Sequence, residues 1–240
     1  MVFLVPASRG HRRFPLAMDF SFASIFQAKV RGYMNGHELI LASGSPRRKE
    51  LLTQVGLSFS IDKADIDEAQ TDGEKAEEYV LRLSEEKARV VAERHKDGVI
   101  LAADTAVVLD GDILGKPESR AHGVEMLQRL SANTHEVLTG IAVINRSRQE
   151  SFISSSRVIF REISMDEITW YWNTGEPEDK AGAYGLQGRG SAFVTAIDGS
   201  FTNVIGLPLA ETLFLLREFG VSAMQVSENE LANVQGSKHV

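Results

Sequence analysis

The sequence predicts a mixed α/β protein built as one domain. Segments with helical spacing of apolar residues alternate with apolar runs of strand length. The run 99–109 is apolar on both parities, the pattern of a strand buried on both faces. Glycine, proline and Asp-Gly punctuation falls mostly between these segments. The chain has 240 residues and a hydrophobic fraction of 43%, enough for one core.

Residues 1–37 stand apart. Arg9, Arg12, Arg13, Lys29 and Arg31 face the single acid Asp19, and no helical or alternating period persists. The stretch reads as a poorly ordered extension, either a basic transit peptide or residues ahead of a start at Met34. The domain then spans 38–221. Leu39 to Ala42 is a buried strand, 43–45 a turn and Pro46 to Val55 a helix. Ser45 suits its N-cap, Pro46 its first position and Gly56 its exit. A second helix covers 74–95 and a strand 99–109, followed by the hairpin signal Asp110-Gly111. A helix at 119–130 precedes strands at 136–144 and 153–163. Ser164 and Glu167 form a capping box for a short helix. A glycine-rich loop covers 175–190, and a strand-turn unit on Asp198-Gly199 covers 192–204. A helix from Leu207 to Phe219 closes at Gly220, and 222–240 reads as a mobile tail.

Composition removes several functional classes. The chain has no cysteine, which excludes disulfides and thiolate metal sites and favours a reducing compartment, hence the cytoplasm. A net charge of -7 argues against nucleic acid as a partner. No apolar run approaches the about 20 residues that span a bilayer, so no membrane is expected. None of the six histidines has the H-E-x-x-H zinc spacing.

Three places violate local physics, and function concentrates at such places. Arg47, Arg48 and Lys49 crowd the first turn of a helix whose N-terminus is itself positive. That is costly unless an anion binds. With Ser43, Ser45 and free backbone N–H groups they make a phosphate cradle, or else a solvated basic turn. No Walker A pattern is present. Asp104 interrupts the apolar strand, so its carboxylate must be paired, protonated or bound to metal. It suits a general base or a metal ligand, against a plain structural Asp. Lys87 falls in the apolar stripe of the second helix, which demands an anionic partner or a snorkelling stem. Weaker signals are Lys116 in a Gly-Lys-Pro turn, the acidic run Asp65, Asp67 and Glu68, and Asp179, Lys180 and Gln187 in the glycine-rich loop. Cations, a helix N-terminus and a buried carboxylate together suit a polyphosphate with a metal ion.

Five separated motifs resemble the Maf family: 41–48 (LASGSPRR), 103–105 (ADT), 115–117 (GKP), 179–184 (DKAGAY) and 203–208 (NVIGLP). The resemblance implies a long mixed sheet flanked by helices with a central cleft, similar to inosine triphosphatases, and usually a homodimer. It implies a nucleoside triphosphate pyrophosphatase in which a metal-assisted water attacks the α-phosphate. Asp104 matches the family's proton acceptor. Arg48, Lys87 and Lys116 match phosphate contacts, with Ser43 and Ser45 beside them. Glu68 joins Asp104 near a divalent cation, magnesium or manganese. Arg47, Thr105 and Gln187 match the branch acting on dTTP and UTP. The alternatives are a nucleotide-binding regulator of septum formation and a house-cleaning enzyme for ITP-type purines. Phe201 departs from the family's frequent tyrosine.

Overall fold

The computed structural model describes residues 37–223, so nearly all of the expected extension and tail lies outside the described residues. Seven strands form one sheet in the order β2-β1-β3-β5-β6-β7, with β4 pairing β3 off that path. β1 (Leu39–Leu41) is parallel to β2 (Ser60–Ile61) and to β3 (Val99–Leu109). The remaining pairs are antiparallel: β3 with β4 (Asp112–Leu114) and β5 (Thr134–Ile144), β5 with β6 (Gln149–Phe160), and β6 with β7 (Val194–Asp198). The helices are α1 (Pro46–Gln54), α2 (Ala76–Arg94), α3 (Arg120–Leu130), α4 (Met165–Trp172), α5 (Phe201–Ile205) and α6 (Leu209–Glu218).

The parity of β3 sorts the core. Leu101 and Ala103 pack with Leu51 and Leu52 of α1 and Leu215 and Leu216 of α6. Ile100 and Ala102 point the other way, onto Ala88 and Val91 of α2. Asp104 therefore belongs to the α2 face and Thr105 to the α1 face. α2 buries Ala76, Val80, Leu83, Ser84, Lys87, Ala88 and Val91, a single stripe with the lysine inside it. Glu77 and Glu78 sit in its first turn and Arg94 in its last, in agreement with the helix dipole.

One edge of β3 is discontinuous. Its register with β1 ends at Leu101, and that with β4 begins at Val107. Between them β3 is paired on the β5 side, where Asp104 lies opposite Gly140. The Asp110-Gly111 turn that carries β4 back has both residues at positive φ, 53° and 90°. This is the twist-matched hairpin that its sequence signals.

Some elements differ from expectation. β2 is too short to show a period. β6 runs 149–160 rather than 153–163; it starts early because Asn145 Oδ1 accepts from the amides of Ser147 and Arg148 and ties a tight turn. That turn brings polar Gln149 and Glu150 into register with Ile144 and Val143. The expected unit 192–204 is split into a 3-10 turn (Arg189–Phe193), β7 and α5, with Ser200 Oγ capping α5 at Asn203 N.

At the start of β5, His135 packs edge-on against Phe160 and Tyr184 and bonds the Tyr184 hydroxyl at 2.8 Å. Burial pulls its pKa from 6.5 down to about 4. The unfolded chain takes up a proton near pH 6.5 that the native protein refuses. Stability is therefore complete above that value and falls as the pH drops toward 4, by up to about 3 kcal/mol. Glu74 and Glu167, held down at about 2 by hydrogen bonds from Arg82 and Arg161, add their own loss only as the pH falls through about 4.5, where the unfolded carboxylates protonate, so most of the window above that belongs to His135. Urea unfolding at pH 7 and pH 4.5 should show the loss, and His135→Phe should flatten it. An unchanged slope in that variant would assign the acid sensitivity to another group.

Candidate active site

The discontinuity in the β3 edge opens into a cavity of about 630 Å³. It meets both faces of the sheet, so Asp104 and Thr105, of opposite parity, line the same space. Ser43, Ser45, Arg47, Arg48, Glu68, Lys87, Lys116 and Gln187 line it too.

On the α2 face, Lys87 Nζ lies 2.7 Å from Asp104 Oδ1 and 2.6 Å from Glu68 Oε1. Lys87 and Asp104 are buried, whereas Glu68 is half exposed. Burial pushes the Asp104 pKa up, while the Lys87 and Arg48 charges pull the other way. Of the two readings of Lys87, the anionic partner is the one observed. Tyr79 donates its hydroxyl to the Glu68 carbonyl at 3.0 Å and so anchors that loop. Burial, with the nearby Asp104 and Glu68 charges, holds the Tyr79 pKa up at about 12.

On the α1 face, the helix starts at Ser45, which is extended and makes no capping bond with its side chain. Ser43 Oγ instead accepts from Ser45 N at 3.2 Å and from Arg48 Nη1 at 3.0 Å. Arg48 Nε donates to the Gly206 carbonyl at 2.8 Å and Nη2 to Thr105 Oγ1 at 3.0 Å. Burial lowers the Arg48 pKa, and the Asp104 charge opposes this. Arg47 leans toward Asp179 at 3.8 Å, and Lys180 bonds the same carboxylate at 2.6 Å. Asp65 and Asp67 stay outside the cavity lining; Asp67 Oδ1 accepts from Ala69 N in a local turn.

Gln187 is exposed on a loop organised by Glu176, whose carboxylate accepts from the amides of Arg189 and Gly190 and from the Tyr171 hydroxyl. Burial would raise the Glu176 pKa, but these donors keep it below its usual value. Sequence reasoning missed Glu176, Tyr79 and Lys63. The Lys63 stem crosses Gly44, where a Cβ would meet its Cε at 2.6 Å. Only the spacing between loop and helix start could have signalled that approach.

Six basic side chains and three carboxylates line the cavity, a local positive excess in an acidic chain. This suits a polyanion. Among the described residues no group of three or more His, Asp or Glu side chains is placed to hold a metal. Two carboxylates, Asp104 and Glu68, do converge, on Lys87 Nζ. One or two carboxylates are what a magnesium-type ion takes from protein when phosphates and water complete its shell. The donor set fits such an ion bound together with a substrate. No described helix is long and apolar enough to cross a membrane.

A family model described as Maf-like protein matches residues 38–219. A dTTP/UTP pyrophosphatase of Myxococcus xanthus (strain DK1622) is 51% identical over 183 residues, covering 76% of this chain and 93% of that one. A dTTP/UTP pyrophosphatase of Hahella chejuensis (strain KCTC 2396) is 50% identical over 186 residues, covering 76% and 92%. The Staphylococcus aureus Ham1 protein superposes with a TM-score of 0.44 at 13% identity, over 75% of this chain and 99% of that one. That structural likeness is too slight to argue from. With half of its residues shared across the domain, and a family model spanning it, this chain belongs to the family of Maf-like proteins.

Proposed function

We propose that this protein hydrolyses nucleoside triphosphates, dTTP and UTP foremost, to the monophosphate and diphosphate. The observation that carries the reading is one cavity joining the buried Asp104–Lys87–Glu68 cluster to the basic start of α1. The names of the relatives at half identity support the choice of nucleotide.

In this reading Arg48, Lys87 and Lys116 bind the phosphates, with Ser43 and Ser45 at the helix start. Asp104 takes a proton from a water whose oxygen bonds the α-phosphorus. The bond to the bridging oxygen breaks, and diphosphate leaves with that electron pair. Lys87 and Arg48 favour the ionised Asp104 that proton transfer needs, against its burial. Asp104 and Glu68 would hold a magnesium or manganese ion, which supplies positive charge at the phosphates when bound. We also infer a homodimer, on the family resemblance, and a cytoplasmic location, on the cysteine-free composition.

Gln187 offers an amide donor and acceptor to the imide edge of thymine or uracil. Gln187→Glu removes the donor. It is expected to raise KM for UTP by about tenfold with kcat little changed. Steady-state kinetics on UTP check this, and an unchanged KM would move base reading to Arg47 and Thr105.

The reading itself is tested by diphosphate release from a panel of nucleoside triphosphates, with magnesium or manganese and with EDTA. Metal-dependent release from dTTP and UTP, with monophosphate as co-product, is expected. Faster release from ITP would reassign the enzyme to purine house-cleaning. A folded protein that binds nucleotides but releases nothing would be a binding regulator.

A further inference from the structure

We propose that Thr139 and Asn203 are positioning residues that hold the Arg48 guanidinium for phosphate. This gives the 203–208 motif a task, and it rests on the pyrophosphatase reading. Both residues are fully buried, and neither lines the cavity.

Arg48 has five N–H donors. Three are spent on Gly206 O, Ser43 Oγ and Thr105 Oγ1, which leaves one on each terminal nitrogen. Two remaining donors on adjacent nitrogens match two oxygens of a phosphate. Their direction depends on the three acceptors, and two of those are set by the same pair of buried residues.

The first acceptor is Thr105 Oγ1. Thr139 donates its hydroxyl to Asn203 O at 3.3 Å. Its oxygen is then free to accept from the Thr105 hydroxyl, 3.0 Å away. With that proton committed, Thr105 Oγ1 presents only lone pairs to Arg48 Nη2. The chain from Arg48 through Thr105 and Thr139 to Asn203 O thus has one direction, and each hydroxyl donates once and accepts once. The second acceptor is Gly206 O. The Gly206 amide bonds Asn203 O at 2.8 Å, with a longer bond to Thr202 O at 3.1 Å, so Asn203 is the nearer of two anchors for the end of α5. Asn203 Nδ2 in turn donates to Val137 O of β5 at 2.9 Å and Ser156 Oγ of β6 at 3.0 Å. Gly206 itself sits at φ +122°, a conformation that L side chains rarely adopt.

The test is calorimetric binding of inorganic diphosphate to the full chain, alongside KM and kcat for dTTP. Thr139→Val keeps the shape and removes the hydroxyl, so the Thr105 proton loses its acceptor and can turn toward Arg48. It is expected to weaken diphosphate binding and raise KM by about tenfold, with a smaller change in kcat. Thr139→Ser should restore both values. In an Arg48→Ala background, Thr139→Val should have no further effect on diphosphate binding, because it acts through Arg48. Thr139→Cys, with only a weak donor and acceptor, is the second variant should valine prevent folding, and the same result is expected. Wild-type diphosphate affinity in the valine or cysteine variant would overturn the proposal. So would a full additive effect on top of Arg48→Ala. Binding is read without turnover, so failure of the wild type to cleave dTTP, which would sink the pyrophosphatase reading, is seen separately.

Discussion

Asp104→Asn is expected to slow diphosphate release from dTTP by about 10²–10⁴-fold, the share that a positioned proton acceptor supplies. The change keeps the shape of the side chain and an oxygen that can accept from Lys87. Lys87 retains Glu68 at 2.6 Å, so its buried ammonium is not left alone. Folding should therefore survive, and diphosphate affinity, which depends on the cations, should change little. Rate assays and diphosphate calorimetry on one preparation separate the two effects. A variant that turns over at the wild-type rate would remove Asp104 from the proton-accepting role. One that neither turns over nor binds diphosphate would make Asp104 a structural partner of Lys87.

Gly140→Ala is expected to be among the most damaging substitutions outside the cavity. A Cβ there would lie 2.2 Å from the carbonyl oxygen of Val80 and 2.5 Å from its carbon. Both atoms belong to the α2 backbone, so no rotamer change relieves the clash, and the helix must move. Overpacking of this kind costs about 1–3 kcal/mol or more. For a domain of this size that lowers Tm by about 2–4 °C per kcal/mol. α2 also carries Lys87, and Gly140 pairs with Asp104 across the sheet. Lifting the helix separates the ammonium from the carboxylate. The folded variant should therefore lose dTTP turnover as well as melting temperature. Thermal melts and assays well below Tm check both. A wild-type Tm would mean that α2 can settle without touching the sheet at this point.

The long elements were legible because their periods are long. β3 declared itself through an apolar run on both parities, and α2 through a stripe whose one charged member is Lys87. The candidate residues were legible as violations: a carboxylate in a buried strand and cations at a helix start. What escaped was set by tertiary contact. β2 has two residues, and β6 takes its start from the Asn145 turn rather than from its own alternation. Glu176 looks like an ordinary loop acid until the fold aims two backbone amides at it. Thr139 reads as one more strand threonine, and nothing local tells that its oxygen faces Thr105. Asn203 had been singled out only as part of a motif, and its neighbours on β5 and β6 supply the reason.

The bond from Arg48 to Gly206 joins residues 158 positions apart. The cradle begins in the first described strand-to-helix turn but is completed close to the end of the described chain. Contacts of such long range form late, after the cost of closing the loop between them has been met. During synthesis Arg48, the arginine proposed to bind phosphate, therefore emerges well before its carbonyl acceptor, and it waits for nearly the whole domain. Competence to hold substrate arrives together with completion of the fold, so a nascent chain that has only built its sheet cannot yet act on a nucleotide.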